Sequence, residues 1–327
     1  MNSINCDLIV NGIHFYVDNI RSCSSNAVGP ILIDDYRGQD IDFNELLNKR
    51  IKYQQRLLKG DIPEGCKCCF ELDRFRKLKE VDNSVLIKRI YISHWLHCNS
   101  SCIYCVRGHE TKGAHSDWVK RSKYYDLFPI MKKMIDSGMI DKNAQVMFTG
   151  GEPTVLKEFG KLMDLLLDYV DSEISVLTSG IRFDKSIERA YKLGKASLVI
   201  SIDAGTRETY KKIKRVDKFE QVKKNIKKYL AASEHAKDSF TLKYILVKDY
   251  NDNIDEIESW LKLAKDMGVV NIRLDVDYAN ELFYSNAPVP LKYYGIYEHV
   301  KKRAEELKFN LCSVGRVDKI LELGHVI

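Results

Sequence analysis

The sequence predicts an α/β fold: a partial (β/α)6 parallel barrel preceded by a small, cysteine-rich α+β module. From residue 87 onward, short apolar runs rich in β-branched residues alternate with amphipathic helical patterns. Such runs are typical of parallel strands joined by right-handed helical crossovers. The predicted strands are 87–93, 145–148, 174–178, 197–202, 241–247 and 271–276, with helices that include 159–170 and 254–267.

The first 80 residues carry a different pattern. An Asn11-Gly12 pair within alternating residues 8–17 predicts a β-hairpin, and a helix is expected over 43–58. A charged linker at 77–84 places a boundary near residue 80. We therefore expect a module at 1–80, the barrel at 81–280 and a helical C-terminal extension at 281–327.

Composition restricts the functional classes. The 327 residues are 45% hydrophobic and 30% charged, with a net charge of +6. No apolar run is long enough for a transmembrane helix and no secretory leader is visible, so a cytoplasmic location without membrane partners is expected. A basic stretch at 211–228 could face nucleic acid or an acidic partner, but it lacks interleaved aromatic residues. The solvated face of a helix, with 219, 222, 226, 229 and 230 turned inward, is favoured, and no nucleic-acid partner is expected.

The cysteine distribution points to a metal site. Eight of the nine cysteines lie within residues 6–105, and the odd count without a secretory leader disfavours disulfides. Three of them, Cys98, Cys102 and Cys105, occupy one short loop, Cys-Asn-Ser-Ser-Cys-Ile-Tyr-Cys. Three thiolates without a fourth partner would hold an iron–sulfur cluster with one iron open to another ligand. Zinc, with help from His94, His97 or His109, is the alternative.

Chemistry-bearing residues follow successive predicted strands. The cysteine loop follows the first strand, Gly150-Gly151-Glu152-Pro153 the second, Ser179-Gly180 the third and Asp203-Ala204-Gly205 the fourth. Because active sites of parallel barrels lie at the carboxyl ends of the strands, these residues are expected at one rim.

Together, these motifs resemble the radical S-adenosylmethionine (SAM) enzymes over about residues 87–278. The spacing Cys98-x3-Cys102-x2-Cys105, the Gly-Gly-Glu-Pro motif and Ser201-Ile202-Asp203-Ala204 carry the resemblance. It implies a [4Fe–4S] cluster on the three cysteines, SAM bound to its open iron, and a 5′-deoxyadenosyl radical that abstracts hydrogen from a substrate. It also implies an external electron donor of the flavodoxin or ferredoxin type.

The resemblance assigns SAM-binding roles to seven residues. Glu152 would accept a hydrogen bond from the methionine ammonium, and the two glycines would allow close backbone approach. Ser179 and Ser201 would contact the ribose or carboxylate, or else satisfy local backbone groups. The full predicted set is Tyr104, Gly150, Gly151, Glu152, Ser179, Ser201 and Asp203. Ser179 and Ala204 depart from the commoner Asn and Gly of the family.

Residues 6–69 resemble the SPASM or twitch module of peptide-modifying radical SAM enzymes, here on the N-terminal side of the barrel. Cys6, Cys23, Cys66 and Cys69 would then supply the four thiolates of an auxiliary, second [4Fe–4S] cluster. The alternatives are a zinc ion on the same residues, Cys68 in place of a neighbour, or buried thiols without metal.

This module favours a peptide or protein side chain as substrate. A sugar or nucleotide precursor is the enzymatic alternative, and a non-catalytic cluster carrier or zinc-binding protein is the other. Retention of Glu152 and the paired glycines disfavours a carrier. On the sixth strand, Arg273 and Asp275 either orient the substrate or form a strand-end salt bridge, and the salt bridge is favoured.

Overall fold

The computed structural model describes residues 6–23, 30–34, 36, 41–66, 80–84, 86–105, 124–277 and 291–312. The chain divides into two compact units. The first comprises Met1–His97 and Ser122–Ser175, and the second Cys98–Arg121 and Val176–Ile327. Among the described helices, none combines the length and the apolar character needed to cross a lipid bilayer.

The first unit builds a mixed sheet in the order β5-β4-β1-β2-β3. Strand β4 pairs in parallel with both β1 and β5, whereas β2 pairs antiparallel with β1 and β3. The elements are α1 (Asp7–Asn11), β1 (Gly12–Phe15), β2 (Ile20–Arg21), β3 (Ile31–Ile33), α2 (Phe43–Leu58), β4 (Ile87–Ile92), α3 (Phe128–Asp136), β5 (Ile140–Phe148) and α4 (Phe159–Tyr169).

The predicted hairpin at Asn11-Gly12 is wrong. Residues Asp7–Asn11 form a short helix, and Gly12 begins β1 with a φ of −93°, outside the left-handed region that a tight hairpin turn requires. The glycine is needed for space instead, because a Cβ there would lie 2.4 Å from the carbonyl oxygen of Ser22. The chain reverses farther on, where the Tyr16 N–H donates to the Asn19 carbonyl.

Helix α2 has the predicted bounds. It begins at the cap residue Asp42, whose side chain accepts hydrogen bonds from the N–H groups of Asn44 and Glu45. One face of the helix is buried at positions three and four residues apart, which is the spacing of a core-facing stripe. The buried residues are Leu46, Arg50, Gln54 and Leu57.

The second unit contains parallel pairs β7–β8, β8–β9 and β9–β10, with strand order β10-β9-β8-β7-β6. Strand β6 begins just before the boundary between the units. The elements are β6 (Ile174–Thr178), α5 (Lys185–Lys192), β7 (Ala196–Ser201), α6 (Arg207–Lys214), α7 (Phe219–Leu230), α8 (His235–Ser239), β8 (Phe240–Leu246), α9 (Ile254–Asp266), β9 (Asn271–Val276), α10 (Leu291–Leu307) and β10 (Asn310–Cys312).

Alternating strands and helices with parallel pairing confirm the α/β prediction. Five of the six predicted strands agree with the observed bounds to within one residue, whereas β5 begins at Ile140, five residues earlier than predicted. The solvated-face interpretation of the basic stretch is also confirmed for α7, which buries Phe219, Val222, Ile226, Tyr229 and Leu230. Lys214 is different, because its side chain is only 2% exposed. The three-part division at residues 80 and 280 stays a prediction.

Candidate functional site

The cysteine loop of the second unit is fixed to the end of helix α6. The N–H groups of Ser101 and Ile103 donate to the carbonyls of Lys214 and Ile213, at 3.1 and 3.0 Å. The last carbonyls of a helix have no partner within the helix, so the loop satisfies groups that would otherwise need water. These two hydrogen bonds set the backbone path between Cys98 and Cys105.

The three thiols of this loop are half-buried. The Ser100 hydroxyl lies 3.3 Å from the sulfur of Cys98 and 3.5 Å from that of Cys102, so two sulfurs converge on one point. A turn in which the Cys105 N–H donates to the Cys102 carbonyl keeps the third cysteine adjacent. Within the described part of the chain, no three His, Cys, Asp or Glu side chains are already arranged as a metal site. An all-sulfur donor set on one short loop nevertheless fits an iron–sulfur cluster.

Tyr104, Asp203 and Lys214 form a buried hydrogen-bonded group beside the loop, here called the anchor triad. The Tyr104 hydroxyl donates to Asp203 Oδ2 at 2.5 Å and accepts from Lys214 Nζ at 2.8 Å. Lys214 also forms an ion pair with Asp203, and both side chains are almost fully buried. The other carboxylate oxygen, Oδ1, accepts the Ile245 N–H at 2.8 Å. The side chains of Tyr104 and Asp203 are thus bonded to each other, and their predicted contacts with SAM stay predictions.

Burial and neighbouring charges shift the pKa values of two members of the anchor triad, Tyr104 and Lys214. Burial and then the Asp203 charge raise the pKa of Tyr104 well above its ordinary value, so its hydroxyl remains a donor. Burial alone would lower the pKa of Lys214, but the charges of Asp203 and Cys102 outweigh it and the pKa is raised. At neutral pH the Lys214 side chain is therefore an ammonium and the Tyr104 side chain a neutral phenol.

A special backbone conformation presents the Asp203 carboxylate. Asp203 follows β7 with a φ of 55°, in the left-handed region that few residues other than glycine adopt. Asn251 stabilises this conformation, since its amide nitrogen donates to the carbonyls of Asp203 and Ile245 at 2.9 and 2.8 Å. Its amide oxygen accepts the Val247 N–H at 2.6 Å. Asn251 is fully buried and ties the end of β8 to the anchor triad.

The two predicted serines lie at different places in the second unit. The Ser179 hydroxyl donates to Asn99 Oδ1 of the cysteine loop at 2.9 Å, so this strand-end residue reaches the loop directly. Ser201 is the last residue of β7 and lies in register with Lys243 of β8. Both serines are half-buried, and their SAM-binding roles stay predictions.

The Gly-Gly-Glu-Pro motif lies in the first unit, against the backbone of residues 93–97. Gly150 has a φ of 111°, and a Cβ on Gly151 would lie 2.3 Å from the carbonyl oxygen of His97. The Gly151 N–H donates to the Trp95 carbonyl and the Glu152 N–H to that of His97, at 2.9 and 2.8 Å. Because these two residues lack side chains, the loop can contact the backbone of residues 93–97, which immediately precede Cys98.

The side chain of Glu152 is held in place by its own turn. Its Oε1 accepts the Thr154 N–H at 3.1 Å and the Thr154 hydroxyl at 2.6 Å. Glu152 is 1% exposed, so the carboxylate is buried and fixed in orientation. A fixed carboxylate is suited to the predicted bond with an ammonium group.

Three of the four predicted N-terminal ligands lie in one buried cluster. Cys6, Cys23 and Cys66 pack with Leu8, Ile9 and Leu57 of the first unit. Cys69, the fourth predicted ligand, and Cys68 lie outside the described residues. The structure thus brings together residues separated by up to sixty positions, and their role as ligands stays a prediction.

Sequence reasoning missed Lys214, Asn251 and Asn99. Lys214 is part of a basic run, the usual mark of a solvated face, and nothing local distinguishes it from Lys211 or Lys212. Asn251 follows β8 in a loop, where asparagine is common for conformational reasons. Only the three-dimensional arrangement reveals that these residues support the cysteine loop.

Comparison with known proteins places the chain in a family. The model of the Radical SAM superfamily matches residues 92–264, more than half of the chain. A protein of Brachyspira hyodysenteriae named GTPase Obg is 27% identical over 196 residues, covering 58% of this chain and 28% of that protein. GTP 3′,8-cyclase of Mannheimia succiniciproducens is 27% identical over 168 residues, covering 50% of this chain and 47% of that protein. The chain thus spans about half or less of the length of these relatives.

Solved structures share the fold. SuiB of Streptococcus suis bound to SAM has a TM-score of 0.52 at 13% identity, covering 85% of this chain and 57% of that chain. The same protein bound to its precursor peptide SuiA gives the same score and identity, covering 90% and 57%. This likeness confirms the predicted α/β fold with a mostly parallel sheet.

The family match confirms the enzyme class, and the cofactors are SAM and a [4Fe–4S] cluster. It does not test the residue-by-residue assignments, the N-terminal module or the domain boundaries, which stay predictions. The chain belongs to the radical SAM superfamily.

Proposed function

We propose that the protein cleaves SAM reductively at a [4Fe–4S] cluster held by Cys98, Cys102 and Cys105, and abstracts hydrogen from a substrate. The observation that supports this best is the cysteine loop itself, whose three thiols are presented by hydrogen bonds to α6. Cys98, Cys102 and Cys105 would hold the cluster, and the bound, reduced cluster would supply the electron for cleaving SAM into methionine and a 5′-deoxyadenosyl radical. An external donor of the flavodoxin or ferredoxin type would deliver that electron.

In this proposal, the residues around the cysteine loop bind SAM and orient it. Glu152 accepts a hydrogen bond from the methionine ammonium of SAM, and Gly150 and Gly151 let the backbone approach the cofactor. Ser179 and Ser201 contact the ribose or carboxylate. The anchor triad holds the loop between Cys102 and Cys105 in place, because Tyr104 lies between these two ligands in the sequence.

A peptide or protein side chain is the proposed substrate. The close packing of the buried Cys6, Cys23 and Cys66 side chains supports this proposal. An auxiliary iron–sulfur centre on these residues would be an N-terminal counterpart of the SPASM module. The precursor peptide bound by the SuiB structure, which shares this fold, is consistent with it.

A small-molecule substrate is the second candidate. GTP 3′,8-cyclase of Mannheimia succiniciproducens is more similar in sequence, at 27% identity, than SuiB, at 13%. Its name states that it acts on a nucleotide. A mass shift on a candidate peptide, as opposed to one on a nucleotide, separates these two substrate classes.

Metal content tests the proposal. We would reconstitute the protein anaerobically and count iron and sulfide per chain in the wild type and in the triple variant Cys98→Ala/Cys102→Ala/Cys105→Ala. Two cubane clusters predict about eight irons falling to about four, and one cluster predicts about four falling to none. The matched control is Cys312→Ala, an exposed cysteine whose loss should leave the iron count unchanged.

Cleavage of SAM to 5′-deoxyadenosine by the reduced protein is the second measurement. It should be lost in the triple variant and retained in Cys312→Ala. A triple variant that keeps the full iron content and still cleaves SAM would overturn the assignment of the cluster to this loop.

A further inference from the structure

Three charged side chains meet on neighbouring strands of the second unit, here called the cationic cluster: Lys243 of β8 with Arg273 and Asp275 of β9. Lys243 Nζ lies 2.8 Å from Asp275 Oδ2. Arg273 binds the same carboxylate through both oxygens, with Nε 3.1 Å from Oδ1 and Nη2 2.8 Å from Oδ2. The predicted salt bridge between Arg273 and Asp275 is therefore present, but a second cation shares it.

Two of the three members of the cationic cluster are buried, and the cluster carries a net charge. Lys243 is 7% exposed and Asp275 3%. Burial raises the pKa of Asp275, but the charges of Lys243 and Arg273 outweigh it and lower the pKa, so the carboxylate is ionised at neutral pH. Two cations and one anion leave a net charge of +1. Among the described residues, no other carboxylate forms an ion pair with either cation.

Hydrogen-bonding capacity also remains in the cationic cluster. Asp275 occupies Nε and Nη2 of Arg273, whereas Nη1 has no partner among the described residues. Arg273 is also the most exposed member, at 20% for its side chain. A net charge that is largely removed from solvent favours a bound counter-charge, and a guanidinium fork suits the paired oxygens of a carboxylate or phosphate.

The strand register places the cationic cluster on the same strand face as contacts to the cysteine loop. Lys243 lies opposite Arg273 and Ile245 opposite Asp275. Residues two apart on a strand share a face, so Ile245 lies about 7 Å along the same face as Lys243. Ile245 belongs to the apolar cluster against which Ile103 and Tyr104 of the cysteine loop pack.

The other face of β8 is already covered. Tyr244 packs against Trp260 of α9, with ring centroids 4.9 Å apart and ring planes tilted by 44°. The cationic cluster therefore lies on the strand face opposite α9, one pleat from the contacts with the loop that carries the proposed cluster ligands. Packing against α9 therefore does not account for the charged side chains on this face of β8.

We propose that the cationic cluster binds an anionic group of the substrate, a carboxylate or a phosphate, with Arg273 as the contacting residue. Lys243 and Asp275 position the guanidinium through the ion pairs described above. The inference rests on the proposed function, since it names the chemistry of a substrate for the same site. The other source of such an anion is the carboxylate of SAM itself.

Anion binding to the metal-free protein provides the first test. Inorganic phosphate and acetate are titrated at constant ionic strength, and the midpoint of thermal unfolding is followed. Either anion should raise the midpoint in the wild type, and its affinity should fall about tenfold or more in Arg273→Met and Lys243→Met. Arg273→Lys keeps the charge but not the fork, and should give an intermediate affinity if Arg273→Met does not fold.

The matched control is Lys224→Met, which removes one exposed positive charge from α7. It should bind both anions like the wild type. Equal anion effects in all variants, or none in the wild type, would overturn the inference.

Equilibrium binding of SAM to the reconstituted protein separates the two sources of the anion. If SAM affinity falls about tenfold in Arg273→Met and not in Lys224→Met, the site belongs to SAM and the substrate inference is refuted. If SAM affinity is unchanged while phosphate or acetate binding is lost, the inference stands. Wild-type protein that cleaves SAM but shows no anion effect refutes the cationic site alone, whereas wild-type protein that does not cleave SAM refutes the proposed function.

Discussion

Replacing Lys214 with methionine tests whether the anchor triad holds the second unit together. The substitution keeps an unbranched apolar stem of four heavy atoms but removes the ammonium. The Asp203 carboxylate, which is fully buried, then loses its counter-charge. Tyr104 loses the hydrogen bond that it accepts from Lys214.

Removing one partner of a buried ion pair typically costs about 3–5 kcal/mol, because an uncompensated charge stays behind. Asp203 retains two hydrogen bonds, from the Tyr104 hydroxyl and the Ile245 N–H. We therefore expect the lower end of this range, about 3 kcal/mol of lost unfolding free energy. In the double variant Asp203→Asn/Lys214→Met no charge remains, and asparagine tolerates the left-handed backbone. The double variant should lose only about 1–2 kcal/mol.

The assay is urea unfolding of the reduced, metal-free protein, followed by circular dichroism and tryptophan fluorescence so that separate unfolding of the two units is detected. Lys212→Met, at an exposed position of the same helix, is the matched control and should change stability by less than about 0.5 kcal/mol. Alkylation of Cys98, Cys102 and Cys105 should be faster in Lys214→Met, because the loop loses its support.

A loss below about 1 kcal/mol in Lys214→Met would refute this reasoning, since it would mean that the buried carboxylate does not depend on the ammonium. The reasoning would also be refuted if the stability loss of the double variant equalled the sum of the losses of Asp203→Asn and Lys214→Met. Coupled residues should deviate from such additivity.

Two further predictions concern the first unit. Gly151→Ala places a Cβ 2.3 Å from the carbonyl oxygen of His97 and should lower the free energy of unfolding in urea by about 1–3 kcal/mol. The control is Gly295→Ala in helix α10, where a Cβ would have no neighbour within 4 Å, and this variant should be more stable by about 0.5–1 kcal/mol. Equal effects of the two substitutions would contradict the proposed steric cause. Burial raises the pKa of Glu158, but hydrogen bonds from His94 and then Tyr124 outweigh it, so the folded-state pKa lies below the ordinary value of 4.5. The resulting stabilisation is complete above that value and is lost as the pH falls through the lower folded-state pKa, so Glu158→Gln should be less stable at neutral pH and lose less stability on acidification. Urea unfolding from about pH 7 to pH 3.5 measures this, and parallel curves for variant and wild type would argue against the prediction.

Local periodicity predicted most of the elements, because strands and helices leave repeating patterns in a sequence. It failed where the pattern was interrupted. In β5 the first residue, Ile140, is followed by the polar residues Asp141, Lys142 and Asn143, so the start of the strand has no apolar pattern. The Asn11-Gly12 pair misled for another reason, since the glycine provides space for the Ser22 carbonyl and not a turn.

The candidate site was predictable only where a motif is short. The three cysteines and the Gly-Gly-Glu-Pro run each occupy a short stretch of sequence, so a motif reveals them. The anchor triad is not local, because Tyr104 lies 99 residues from Asp203 and 110 from Lys214. No spacing rule connects such positions, and Lys214 carries the appearance of an ordinary surface lysine.

The hydrogen bonds from Ser101 and Ile103 to the end of α6 have a consequence for how the protein matures. They join segments more than one hundred residues apart, so closing that loop of chain costs entropy that only a largely assembled second unit offsets. We therefore expect the eight-residue cysteine motif, although contiguous in sequence, to acquire its shape only after α6 has formed. A synthetic peptide of residues 98–105 would lack this support, and the nascent chain would not present its three thiols in their final arrangement until synthesis had passed α6.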